Sequence, residues 1–91
     1  MGFFGGISFI NTVPTYFEWY EEKTALAGAN SFTLTNIVPS GGQVLIFDVT
    51  YGVVYSSPEH YTRTNQVIHL TSILNETTKF QIYCFKKGTV I

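Results

Sequence analysis

Residues 44–70, VLIFDVTYGVVYSSPEHYTRTNQVIHL, constrain the fold more than any other stretch of the chain. β-branched and aromatic side chains recur in short runs, and each run is stopped by a turn former: Gly52, then Pro58 and Glu59, then Asn65. Runs this short, bounded this way, read as strands. QVLIFDVTY is apolar enough to predict a strand covered on both faces. Gly52 permits a tight reversal or a bulge, after which VVYSS continues as strand. HYTRT and QVIHLTS flank Asn65, a residue that tolerates the left-handed backbone of a turn.

The flanking segments carry the same signals. SFTLTNI alternates, with Phe32 and Leu34 on one face and Thr33 and Thr35 on the other, as a half-buried strand does. VPSGG is turn chemistry, because Pro39 presets φ while Gly41 and Gly42 admit positive φ. LNETT is a further turn. KFQIYCFKK is a last strand, with Phe80, Ile82 and Cys84 alternating against Gln81, Tyr83 and Phe85. Short strands at roughly ten-residue spacing predict an all-β fold, a small antiparallel sandwich or barrel-like module over residues 31–91.

That much apolar sheet is hard to hide in 91 residues. Charged residues make up 12% of the chain, about half the usual share, and small domains leave a large fraction of their surface exposed. Excess apolar surface with a net charge of −1 predicts association with another chain, most simply a second copy. The same near-neutral balance supplies no basic stripe for nucleic acid. No apolar run reaches the roughly 18 residues of a membrane span. MGFFGGISFI lacks a basic flank and is broken by glycines, so a signal peptide is not expected.

Residues 1–30 differ in character and predict an N-terminal arm or attachment segment. Phe3, Phe4, Ile7, Phe9 and Ile10 are too apolar for a solvated tail; they are expected to pair with a neighbour's sheet edge or to fill a groove. Tyr16, Phe17, Trp19 and Tyr20 fall within five positions and form a candidate interface cluster, or else a cap on the chain's own core. Local signals leave this region open: YFEWYEEKTALAG allows a helix stopped at Gly28, and TYFEWYE equally allows a strand.

The succession FTLTNIVPSGG, VLIFDVTYG, VVYSSPEHYTRTNQVIHLT and NETTKFQIYCF resembles a small β-sandwich module that recurs in tailed-bacteriophage virion proteins, fibres especially. The resemblance covers about 55 of the 91 positions and consists of turn and strand signals. Tyr51-Gly52 stands where that module commonly has Asn-Gly, His60 where an acidic residue often precedes the tyrosine, and Asn65 where glycine is frequent. The resemblance implies a virion structural protein of the capsid-decoration, head-fibre or tail and collar kind. Such proteins are often trimeric, and the N-terminal segment docks on another virion protein. A host-surface or glycan-binding module at a fibre tip is the alternative, with Trp19 as a stacking platform.

Chemistry-bearing residues are sparse. His60 and His69 lack the spacing of converging metal ligands, and no cofactor motif is present. PSGGQ has neither a nucleophile elbow nor a phosphate-loop frame. Glu21 and Glu22 are adjacent and are expected to diverge on one element, so no catalytic constellation is expected. Cys84, the single cysteine, reads as a buried thiol. Asp48, alone in an apolar strand, is expected to face solvent or pair with Arg63 or a lysine, or else to bridge to another subunit. Asn75-Glu76-Thr77 reads as turn chemistry, with Asn75 and Thr77 bonding local backbone.

Overall fold

The structure, a computed structural model, describes residues 15–87. Seven strands follow one another: β1 (Thr15–Ala25), β2 (Ser31–Thr33), β3 (Gly42–Asp48), β4 (Val53–Tyr55), β5 (Tyr61–Thr64), β6 (Val67–Leu70) and β7 (Thr78–Lys87). They form two antiparallel sheets, one in the order β1-β7-β3-β4 and one in the order β2-β6-β5. The expected all-β sandwich is the fold, and no described residue is helical.

The alternation of β7 sets the core. Phe80, Ile82 and Cys84 are fully buried and meet Ile46 and Val44 of β3 on one side. On the other side the register places Trp19, Glu21 and Lys23 of β1. The second sheet closes over them with Ile68, and Leu34 follows directly after β2. Aromatic contacts tie the layers together. Phe32 stacks on Phe80 with ring centres 4.9 Å apart, and the edge of Tyr55 meets Phe80 at 5.5 Å. The Tyr61 hydroxyl donates to the Val44 carbonyl at 3.3 Å.

The turns form where the residues permit them. Gly42 N–H donates to Pro39 O at 2.8 Å, closing a four-residue turn whose third residue, Gly41, has φ 77°. A positive φ there is the demand of a type II turn. Asn65, with φ 54°, opens the two-residue link between Thr64 and Val67, so the left-handed residue sits where the sequence placed it.

The inner face of β3 lines the core, and on its outer side Leu45 is 42% exposed within this chain. Two expectations need correction. Asp48 neither faces solvent nor pairs with a cation. It is 1% exposed and accepts hydrogen bonds from Tyr51 N–H and the Tyr55 hydroxyl, both at 3.0 Å. The hairpin it begins supplies both donors, so burial leaves no oxygen unpaired. Thr77 does not bond local backbone; its hydroxyl accepts from Ala27 N–H at 3.4 Å, fifty residues away.

The segment left open between helix and strand is a strand. β1 pairs with β7 from Thr15–Lys87 to Ala25–Thr78, with a bulge between Phe17 and Trp19. A division at residues 30/31 therefore falls inside the sandwich, since β1 is one of the four strands of the larger sheet. Phe3, Phe4, Ile7, Phe9 and Ile10 lie outside the described residues.

Candidate functional site

The bulge in β1 decides which of its aromatics face outward. Without it, strict alternation would put Phe17 and Trp19 on the same side. The extra residue breaks that phase, so Phe17 pairs with Phe85 on the outer face while Trp19 pairs with Cys84 on the inner one. The indole N–H of Trp19 donates to Ile37 O at 2.9 Å, and the ring packs against the core. Trp19 is therefore part of the cap on its own core.

The outer face of the four-stranded sheet collects Phe17 and Tyr20 in rows with residues of the neighbouring strands, while Tyr16, level with Lys86, alternates to the other side. Phe17, Phe85 and Gln43 form one row; Tyr20, Tyr83 and Leu45 the next; Glu22, Gln81, Phe47 and Val54 the third. Phe17 and Phe85 meet edge to face at 5.9 Å, and Tyr20 and Tyr83 lie 4.9 Å apart. Phe17 is 58% exposed, Tyr20 38% and Val54 51%. Charges stand at the two ends of this face: Lys87 beyond Phe85 at one, and at the other Glu22, which accepts from the Tyr20 hydroxyl at 2.6 Å and pairs with Lys79 at 3.5 Å. The hydrogen bond to Glu22, aided by partial burial, pushes the Tyr20 phenol up to about 12, so it remains a neutral donor at ordinary pH. An apolar surface flanked by polar groups has the composition of an interface core and rim.

Of the candidate interface residues, Tyr16, Phe17 and Tyr20 are exposed and Trp19 is not. Leu45, Phe47, Val54, Tyr83 and Phe85 were missed as members of the same surface. Their alternation was visible, yet only the strand order β1-β7-β3-β4 places them side by side.

Behind this face, Glu21 holds the connection that follows β2. Its carboxylate accepts from Thr35 N–H, Asn36 N–H and the Asn36 side-chain amide, each at 2.9 Å, with Lys23 at 3.8 Å. Burial pushes its pKa up, but these hydrogen bonds and the lysine outweigh burial and hold the carboxyl below its ordinary value. Glu21 and Glu22 thus diverge to opposite faces, one as a loop clamp and one on the outer rim.

A groove of about 490 Å³ lies between β4 and residues 70–75. Val53, Val54, Leu70, Ile73 and Leu74 give it an apolar wall, and Tyr51, Tyr55 and His60 give it polar corners. His60 Nδ1 accepts from Ser56 N–H at 2.8 Å while its ring lies 5.3 Å from Tyr55. Burial, reinforced by the bond to Asp48, pushes the Tyr55 phenol up to about 12. Among the described residues no group of three or more His, Cys, Asp and Glu converges on a point that could hold a metal ion. His69 sits on the exposed side of β6 opposite Ser31 and Thr62. Cys84 is buried, and burial followed by the Glu18 charge pushes its thiol up.

No protein-family model, curated protein or solved structure matches the chain.

Proposed function

We propose that this chain is a self-associating structural subunit of a tailed-bacteriophage particle, with a trimer as the favoured assembly. It docks on another virion protein of the capsid, tail or collar. The observation that carries the self-association is the outer face of the four-stranded sheet. Phe17, Tyr20, Leu45 and Val54 each leave more than a third of their surface in water there. At about 25 cal/mol per Å² of apolar area removed from water, covering such a face offsets the entropy lost on association. The placement in a virion rests on the strand-and-turn resemblance.

Mass spectrometry of purified particles tests the placement. The chain is expected in intact virions at a fixed copy number that is a multiple of its oligomeric order. Its absence from particles that package DNA normally contradicts the proposal.

A further inference from the structure

The four strand edges that the two sheets leave open are not alike. β1 is flanked by charges at Glu18, Glu22 and Lys23, and the loop clamped by Glu21 lies along its inner side. β5 carries Arg63 and exposed threonines, and β2 is only three residues long with serine and threonine at its ends. Charge and brevity are the usual protections of an edge. β4 is as short as β2 and equally uncharged, but its side chains are apolar where those of β2 end in serine and threonine. Val53 and Val54 are about half exposed, and among the described residues no backbone bond reaches its outer edge. Beside that edge lies the groove walled by Leu70, Ile73 and Leu74. An open edge next to an apolar trough is the geometry that accepts an added strand.

We infer that the β4 groove takes residues 3–10, FFGGISFI, of a second copy of this chain as an added strand. The inference rests on the self-association proposed above and names the segment that is exchanged. This segment has no charge, as the groove has none, and it offers alternating side chains Ile7 and Phe9 to the trough and Ser8 to the other side.

Reach decides between the chain's own groove and a neighbour's. β1 and β4 are the opposite edges of the larger sheet, and Thr15 lies level with Lys87 while Tyr55 lies level with Ile46 and Ile82. Three strand spacings across and five residue rises along amount to about 22 Å. The five residues from Ile10 to Thr15 span at most about 18 Å. Phe9 and Ile10 therefore cannot sit on their own β4 edge together with the rest of the segment. A neighbour's edge has no such limit.

Cross-linking tests this with two full-length chains, one carrying Phe9→Cys and the other Val53→Cys, which lines the groove on the side of β4 opposite the outer face, mixed and treated with a short bismaleimide. Cys84 is buried and does not compete. A mixed covalent dimer is expected, at least several-fold more than when Phe9→Cys is mixed with Tyr20→Cys at the far side of the outer face. Equal or greater coupling to Tyr20→Cys would place the arm on the outer face and overturn the inference. No coupling in an assembly that light scattering shows intact would also overturn it, leaving the groove to another occupant and self-association standing. Coupling only within a Phe9→Cys, Val53→Cys double variant would overturn the inference and leave self-association standing, whereas a chain that is monomeric throughout would overturn both.

Discussion

Glu21 and Asp48 are carboxylates placed inside a small apolar sandwich, and each is made tolerable by donors that only the fold brings to it. Glu21 has three N–H donors from Thr35 and Asn36, so its folded pKa lies below the ordinary one. The native state then binds fewer protons than the unfolded chain. Its contribution is complete above the ordinary carboxylate pKa and is lost as pH falls through the lower folded value. In urea melts taken from about pH 6 down to about pH 3, the advantage of the native chain over Glu21→Gln is expected to shrink steadily. An advantage unchanged across that range would mean the clamp does not depend on the charge. Asp48 is tested at neutral pH. Asp48→Ala orphans the Tyr55 hydroxyl and Tyr51 N–H, and Tyr55→Phe orphans a buried carboxylate oxygen; each is expected to cost about 2–3 kcal/mol in urea unfolding. Neither role was readable from sequence. Glu21 sits among other glutamates that face water, and its partners lie fourteen and fifteen residues away. Asp48 looked like a charge in need of a cation, although the hairpin residues that satisfy it stand three and seven places on.

Among the strands, β7 carries the fold. It is bonded to β1 on one side and β3 on the other, and its inward residues Phe80, Ile82 and Cys84 are all fully buried. Ile82→Ala is expected to cost about 2–5 kcal/mol in urea unfolding. Gly41→Ala forces a side chain into a φ of 77° with open space around it, so only backbone strain is felt, about 1 kcal/mol. A Gly41→Ala loss as large as that of Ile82→Ala would contradict this ordering. The alternation of β7 and the left-handed Asn65 could be read directly, because both are local properties of a few residues. β1 could not. Its aromatics suit a strand, its Gly28 suits a helix stop, and the choice is made by pairing with β7, some sixty residues later. The bulge that turns Trp19 inward and Phe17 outward is likewise a product of that pairing, so the candidate aromatic cluster divides between core and surface.

The whole molecule is lopsided. β1 and β7 run for ten or more residues, whereas no strand of the smaller sheet exceeds four, and the body measures 46 × 26 × 21 Å. The small sheet covers one side of the large one, and the aromatic rows on the other side have no described cover. The sequence announced this surplus through its scarcity of charge; the strand order gathers Phe17, Tyr20, Leu45 and Val54 on the outer face, while Leu26, Ile37 and Ile73 lie exposed in the connections. Light scattering after size exclusion, on the full chain across a dilution series, measures the consequence directly. A discrete oligomer, a trimer by preference, is expected for the native chain, and Leu45→Glu, which sets a charge in the middle of the outer face, is expected to shift it to monomer without loss of the β-sheet signal. A native chain that stays monomeric at every concentration would contradict the claim that this face exists to be covered.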